Sequence, residues 1–282
     1  MKITVKKEGG LLDYLYNNID MPKKRIKQYL THGAIFVNNT KTTKYNYRIL
    51  PGMTIMIDTD SKNKKTLPFD ILFEDDHIIV VNKPSGLLTI ATAKEKEKTL
   101  YHIVREYLVS KDKNARVFIV HRLDKDTSGV VVLAKDEKTK NKLQENWNEY
   151  VSLREYVAVV HGRLNKESDR IVQKLKETKT NLVYVSRDND GKEAITNYKV
   201  IKENNDYSMV SITLETGRKN QIRVAFNTLH HPIVGDKKYS TIKDNESRLF
   251  LHANRLKMYY PEIRKDILFE TSTPNEFKKI MN

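Results

Sequence analysis

The segment VFIVHRLDKDTSGVVVLAKD, residues 117–136, contains the most informative pattern in the chain. Two apolar runs flank a polar stretch, a pattern that predicts two buried strands joined by a turn. Turn chemistry accounts for residues 126–129, because their side chains can bond backbone amides and Gly129 can adopt a positive φ. It does not account for three ionisable side chains just before them, His121, Arg122 and Asp124.

The spacing of these side chains allows a chemical role. An extended backbone would place Arg122 and Asp124 on the same side, with Leu123 pointing the opposite way. A carboxylate held beside a cation keeps a low pKa and stays ionised at neutral pH, as a nucleophile must. The polar stretch is therefore either a structural turn or a loop that presents Asp124, and the pattern alone leaves both interpretations open.

A second basic segment, LETGRKNQIRVAF, spans residues 214–226. It predicts a helix that begins near residues 216–217. Three cations, Arg218, Lys219 and Arg223, then fall in the first two turns, where the helix dipole disfavours positive charge. Either a nearby anion stabilises them, such as a phosphate or a buried carboxylate, or they form a solvated helix face.

Tyr156 lies in a predicted strand, REYVAVVHG, and also has two interpretations. A tyrosine in a strand usually packs in the sheet. It can equally provide an aromatic face on which a nucleobase stacks.

The remaining periodicity sets the fold class. Helical spacing occurs outside these segments at residues 11–18, 22–33, 99–108 and 136–147. Strands outnumber helices and rarely alternate with them, so we expect an α+β fold, with helices packed on a central mixed, largely antiparallel sheet. A polar stretch at 61–68 predicts a linker between a small α/β domain, 1–60, and a larger domain, 69–282.

The net charge of +15 is unevenly distributed along the chain. Residues 1–67 hold 13 Lys and Arg against 5 Asp and Glu, a net of +8, so about a quarter of the chain carries over half of the excess. The predicted second helix begins with four cations, Lys23, Lys24, Arg25 and Lys27. A concentrated basic module favours a nucleic-acid partner over simple solubility charge.

Several classes of protein and site are disfavoured by the composition. The chain has no cysteine, which excludes disulfides and thiolate sites and suits a reducing cytoplasm. No apolar stretch has the length of a membrane span, and neither a metal-binding histidine pattern nor a glycine-rich phosphate loop occurs. We therefore expect a cytoplasmic protein with no membrane, cofactor, metal or obligate protein partner, and take a monomer as the default.

Six segments resemble the signature of the RluA-type pseudouridine synthases, and they occur in the family's order within the larger domain. They are VVNKPSGLLT, HRLDKDTSGVVVLAK, REYVAVVHG, LETGRKNQIR, HPIVGDKKY and LHANRLKMYYP. Residues 11–57 more loosely resemble the small S-four RNA-binding domain that often precedes this catalytic domain. The chain departs from the family at Asn220 and Ala225, where histidine is common.

The resemblance implies roles for individual residues. Asp124 matches the catalytic aspartate, Tyr156 the tyrosine that stacks on the target base, and Arg223 the arginine that pairs with the aspartate. Arg122 matches a residue that fills the gap left by the flipped nucleotide. Arg218, Lys219 and the four cations of the second helix are the expected RNA contacts.

The implied activity is isomerisation of uridine to pseudouridine in structured RNA, with ribosomal RNA expected before transfer RNA. Asp124 would attack the anomeric carbon, attack the ring, or assist formation of a glycal. The family's fold is an antiparallel-rich sheet with the cleft across its middle. The alternatives are a non-catalytic RNA-binding or ribosome-assembly factor and, less well supported, an aspartate-dependent hydrolase.

Overall fold

In a computed structural model, the chain divides into two compact units, Met1–Leu67 and Pro68–Asn282. The structure describes residues 1–31, 33–58, 67–93, 95–188 and 190–282. Most of the predicted linker, residues 61–66, lies outside the described residues.

The first unit is a small α/β assembly. Its elements are β1 (Lys2–Thr4), β2 (Gly9–Gly10), α1 (Leu11–Asn18), α2 (Lys23–Thr31), β3 (Ile35–Val37), β4 (Thr40–Thr42), β5 (Arg48–Ile49) and β6 (Thr54–Ile57). Four strands form a sheet in the order β1-β6-β3-β4, and β2 pairs with β5. The β3–β4 hairpin turns at Asn38 and Asn39, both with positive φ, as its two-residue loop requires.

Helix α2 is amphipathic, with one apolar face and one basic face. Ile26, Tyr29 and Leu30 are buried in its core, at the spacing of one helix face. The four cations Lys23, Lys24, Arg25 and Lys27 are exposed on the other side. The helix therefore presents a basic surface to solvent.

The second unit carries the remaining elements. They are β7 (Ile71–Glu74), β8 (Ile78–Lys83), α3 (Leu100–Lys111), β9 (Phe118–Ile119), β10 (Ser128–Ala134), α4 (Glu137–Glu145), α5 (Trp147–Tyr150), β11 (Val151–His161), β12 (Ser168–Glu177), β13 (Val183–Val185), β14 (Lys192–Glu203), β15 (Tyr207–Leu214), α6 (Gln221–Thr228), β16 (Leu251–Tyr260), β17 (Lys265–Glu270) and α7 (Asn275–Ile280).

One large sheet organises this unit. Its strand order is β13-β12-β14-β15-β11-β16-β10-β8-β7, with β17 beside β16 and β9 beside β10. Among the described strands, β10 and β16 run parallel, whereas the other neighbours run antiparallel. This mixed, largely antiparallel sheet with few helices confirms the predicted α+β class.

The strands β8 and β10 are buried on both faces, which explains their unbroken apolar runs. Alternate residues of β10 enter two separate cores. Val130 and Val132 pack on the side of Leu143 from α4, whereas Val131 and Leu133 pack on the side of Val104 from α3. The centre of the sheet is therefore a rigid support for the loop that precedes β10.

The helix predicted near residues 216–217 begins later than expected. Helix α6 starts at Gln221, after Asn220 in the left-handed conformation (φ 52°, ψ 19°). Arg218 and Lys219 therefore precede the helix, and of the three cations only Arg223 lies within its first turn. Among the described residues, no helix is long and apolar enough to cross a bilayer.

Candidate active site

The polar loop between β9 and β10 is held by side chains from the last residue of β8 and from the segment that follows β8. Lys83 Nζ donates to the carbonyl of Lys125 (3.0 Å), and Ser85 Oγ donates to that of Asp126 (2.6 Å). Thr89 Oγ1 donates to the carbonyl of Leu123 (2.7 Å) and accepts from its amide (3.3 Å). The loop around Asp124 is thus fixed at three backbone positions by long-range bonds.

Lys83, which bonds to the backbone of this loop, is unusual for a lysine because its side chain is fully buried. Burial lowers the pKa of its ammonium to about 7, although Asp126 and Asp124 act in the opposite direction. The Nζ atom also donates to the carbonyls of Pro84 and Leu87, so it is bonded to backbone oxygens on both segments. Lys83 therefore fastens the two segments together.

Asp124 lies partly buried in this loop, and a backbone amide from the beginning of α6 reaches its carboxylate. Asn220 N donates to Asp124 Oδ2 at 3.2 Å. The left-handed conformation of Asn220 directs the amide there, and its side chain is itself bonded to Tyr239 Oη (2.9 Å). Oriented donors of this kind fix a carboxylate without using a side-chain partner.

Arg223 forms a buried ion pair with a residue that the sequence interpretation did not select, Asp236. Nε donates to Oδ2 at 2.8 Å and Nη2 to Oδ1 at 2.5 Å. Burial acts to lower the pKa of the Arg223 guanidinium, but the bonds to Asp236 more than offset it, and the pKa ends above its ordinary value. The guanidinium also stacks over the Tyr239 ring, 5.1 Å from its centroid.

The expected direct pairing of Arg223 with Asp124 is therefore wrong in this structure. The guanidinium directs its bidentate fork to Asp236, and Asp124 acts on it through space, by raising its pKa. Asp236 belongs to HPIVGDKKY, one of the six segments that resemble the family signature. The alternative of a buried carboxylate that stabilises a cation of the second basic segment is confirmed.

Tyr156 lines the same cleft from β11. Its backbone pairs with Ile212 of β15, and its ring packs between two cores of the unit. Burial raises the pKa of the phenol to about 12, with the Arg154 charge acting against the shift and the Asp124 charge adding to it. The phenol is therefore protonated at neutral pH and presents an uncharged aromatic ring.

The cleft itself has a volume of about 370 Å³ and brings together most of the predicted site residues. Asp124, Tyr156 and Arg223 line it, as do the exposed Arg122 and the cations Arg218 and Lys219. The Arg218 Nε atom donates to the carbonyl of Glu193 (2.8 Å), and Lys219 Nζ pairs with Glu177. The other predicted RNA contacts, on α2, belong to the first unit.

Arg154 is a further cation of the cleft that the sequence interpretation passed over. Nη2 donates to the carbonyls of Leu214 (3.2 Å) and Glu215 (2.9 Å), and burial lowers the pKa of the guanidinium. Its position two residues before Tyr156 was the available signal, because alternate strand residues share a face.

His121 has a structural role rather than a chemical one. Its Nε2 accepts a hydrogen bond from Val132 N (3.0 Å), and its ring packs against Trp147 at a tilt of 33°, with centroids 4.6 Å apart. Burial, aided by the Arg154 charge, lowers the pKa of the imidazole to about 3. The ring is therefore neutral at physiological pH and ties the loop to β10.

The arrangement suits a planar uncharged ring carried on a polyanion. Asp124 is the carboxylate of a cleft that five cations line, Arg122, Arg154, Arg218, Lys219 and Arg223. A phosphate backbone would be attracted to these cations, and a base turned inward could stack on Tyr156 beside the carboxylate. No group of three or more metal-ligating side chains occurs among the residues that the structure describes.

Comparisons with known proteins agree with this chemistry. The family model described as RNA pseudouridylate synthase matches residues 77–228, a range that contains Asp124, Tyr156 and Arg223. A Vibrio cholerae protein named ribosomal large subunit pseudouridine synthase D is 31% identical over 91% of this chain and 85% of its own length. A Mycoplasma genitalium protein named uncharacterized RNA pseudouridine synthase MG209 is 31% identical over 97% of this chain and 91% of its own.

Solved structures agree at the level of the fold. The structure described as human RNA pseudouridylate synthase domain containing 4 covers 78% of this chain and 92% of its own, with a TM-score of 0.62 and 22% identity.

Proposed function

This chain belongs to the RNA pseudouridylate synthase family, and on that premise we propose that it isomerises uridine to pseudouridine in large-subunit ribosomal RNA, with Asp124 as the catalytic carboxylate. The observation that carries the residue assignment is the position of Asp124 in one basic cleft with Tyr156 and Arg223. The name of the Vibrio cholerae relative supports ribosomal RNA over transfer RNA as the substrate.

The reaction replaces the bond between the ribose and a ring nitrogen with a bond between the ribose and a ring carbon. The C1′–N1 bond of uridine breaks, the uracil turns, and C1′ bonds to C5, while C5 loses a proton and N1 gains one. No electrons or groups are exchanged with a second molecule. Asp124 provides the carboxylate for bond cleavage, and the amide of Asn220 holds that carboxylate in place.

Tyr156 serves as the platform for the flipped base. Extrusion of a base from the stack costs a few kcal/mol, and stacking on an aromatic ring repays part of it. The pKa of about 12 keeps the phenol neutral, so it adds no negative charge beside Asp124. Arg223, with its orientation set by Asp236, contributes positive charge to the cleft. Arg122 occupies the gap that the flipped nucleotide leaves in the RNA.

Residues 1–60 act in this proposal as an S-four-like RNA-binding domain joined to a catalytic domain at 69–282. Its α2 cations contact phosphates and supply affinity with little sequence information. Arg218 and Lys219 play the same part at the cleft, and the cytoplasm is the compartment in which the protein meets its substrate.

The decisive experiment compares three proteins on transcribed large-subunit ribosomal RNA: wild type, Asp124→Asn, and Asp76→Asn. Asp76 is an exposed carboxylate in the β7–β8 turn and serves as the control. We expect Asp124→Asn to lower the rate of pseudouridine formation at least about a thousandfold, with RNA affinity within about twofold of wild type. Pseudouridine formation by Asp124→Asn at the wild-type rate would instead favour a non-catalytic role for this side chain.

A further inference from the structure

A second groove lies on the second unit, outside the cleft that contains Asp124. It is formed by one side of α3, the segment that follows α3, and β9, and has a volume of about 820 Å³. Its lining includes three cations, Arg105, Lys113 and Arg116, and apolar side chains such as Val109 and Phe118. We refer to it as the α3 groove.

The cations of the α3 groove are exposed and uncommitted. None of the three forms an ion pair or a side-chain hydrogen bond with another residue that the structure describes. Some exposed cations of this unit have carboxylate partners, as in the pair of Arg170 with Glu215, whereas the three cations of the groove share one lining without such partners among the described residues. Three free cations on one groove leave a local positive potential that an external anion can use.

The groove also has a defined polarity. No acidic residue lines it, whereas the adjacent depression across Arg116 is lined by acidic side chains that include Asp76, Asp112 and Glu137. The adjacent depression also contains Lys111 and Lys135, which pair with Glu74. The lining with Arg105 and Lys113, which has no carboxylate, is therefore the more favourable of the two surfaces for a polyanion. The partly buried rings of Tyr101 and Phe118 add aromatic surface of the kind on which unpaired bases stack.

The chain connects this groove directly to the catalytic loop. Strand β9 ends at Ile119, and Asp124 follows five residues later. At about 3.3–3.6 Å per extended residue, the two positions are at most roughly 18 Å apart. Successive phosphates of one strand are about 3.4 Å apart along a duplex axis, so this distance corresponds to roughly five nucleotides. An RNA whose target base occupies the cleft therefore has flanking phosphates within reach of the groove.

We propose that the α3 groove binds the phosphate backbone of the RNA segment that flanks the target uridine. It is a substrate-binding surface additional to the catalytic cleft and to the basic helix α2. This proposal rests on the proposed RNA substrate, and the groove supplies affinity and orientation rather than chemistry.

The test compares two triple variants with equal changes in net charge. Arg105→Ala/Lys113→Ala/Arg116→Ala removes the groove cations, and Arg163→Ala/Lys166→Ala/Lys199→Ala removes three exposed cations near β12 and β14. Those strands lie towards the opposite edge of the sheet from β8 and β7. The dissociation constant for transcribed large-subunit ribosomal RNA is measured from about 50 to 300 mM potassium chloride.

We expect the groove variant to bind this RNA about tenfold or more weakly, and its slope of log affinity against log salt to be smaller in magnitude by about three. The control variant should keep a slope close to wild type. The rate at saturating RNA should be unchanged in both, because neither triple includes a residue of the cleft. Circular dichroism melting verifies that both variants are folded.

The two proposals can fail separately. If the groove variant has the affinity and salt slope of the control variant, the α3 groove is not an RNA surface, even when wild type forms pseudouridine. If wild type forms no pseudouridine on this RNA, the proposed function is overturned, and the binding measurement still decides the role of the groove.

Discussion

Arg223 is only 5% exposed, and Asp236, which faces its guanidinium, is 3% exposed. Such a pair is costly to desolvate, and it persists where both ends are fully bonded. Asp236 meets this condition, because its Oδ1 also accepts the amides of Lys238 (2.9 Å) and Tyr239 (3.0 Å). Asp236 therefore sets the position of a cleft cation without lining the cleft itself.

Removal of the Asp236 charge should lower the free energy of unfolding. Asp236→Asn leaves a buried guanidinium without its counter-charge, and we expect the free energy of unfolding to fall by about 3–5 kcal/mol. Urea denaturation followed by circular dichroism measures it. Asp169→Asn is the control, because Asp169 pairs with Lys166 at the surface, and its unfolding midpoint should not move. Equal midpoints for the two variants would contradict a structural role for the buried pair.

At the scale of elements, the parallel contact between β10 and β16 sets the distance between the two halves of the sheet. Gly129 pairs with Ala253 at this contact and has a φ of +120°. A Cβ atom at position 129 would lie 2.1 Å from the backbone oxygen of Ala253. Only glycine allows this approach. Gly129 therefore ends the turn that contains Asp124 and also permits the pairing of β10 with β16.

Gly129→Ala should therefore disrupt the sheet as well as strain the turn. We expect a loss of at least about 3 kcal/mol in the free energy of unfolding, because backbone strain and a steric clash combine. Gly86→Ala is a matched control: Gly86 has a φ of +82°, but a Cβ atom at this position would meet nothing within 4 Å. Its loss should be about 1 kcal/mol from strain alone. Similar losses in urea unfolding for both would show that the approach to Ala253 is unimportant.

At the scale of the whole molecule, the basic charge is distributed over both units. In the first, α2 exposes Lys23, Lys24 and Lys27, with Lys23 and Lys27 within 5.4 and 5.9 Å of the Tyr16 and Tyr45 ring centroids. In the second, cations line both the cleft and the α3 groove. We therefore expect the loss of cations outside the cleft to change KM for the RNA and to leave kcat unchanged.

Lys23→Ala/Lys24→Ala/Lys27→Ala should raise KM for ribosomal RNA about tenfold and leave kcat unchanged, because phosphate contacts contribute equally to ground and transition states. Steady-state kinetics of pseudouridine formation measures both constants. Lys6→Ala/Lys7→Ala/Lys44→Ala removes the same charge from exposed positions in the same unit. An equal rise in KM for this control would assign the effect to net charge rather than to α2.

Local sequence patterns predicted much of the architecture. The helices α1, α2, α3 and α4 and the strands β10 and β11 occur where the sequence patterns place them, because each buries one face or both. Strands β12 and β13 were not predicted, since SDRIVQKLKE and VYV carry weak apolar alternation and obtain their partners from the sheet. The beginning of α6 was misplaced because the turn at Asn220 depends on bonds to residues distant in the chain.

The family, the α+β class and the carboxylate at 124 beside the buried strand β10 followed from local patterns, because short motifs and apolar periodicity are properties of neighbouring residues. The strand predicted before the loop, β9, is shorter and less buried than expected: it is Phe118–Ile119 and only partly buried. Only the tertiary structure decided that Arg223 pairs with Asp236, that Lys83 fastens the catalytic loop, and that three unpaired cations share the α3 groove. These facts depend on which side chains meet when distant segments pack, and on how far burial strengthens one electrostatic interaction over another.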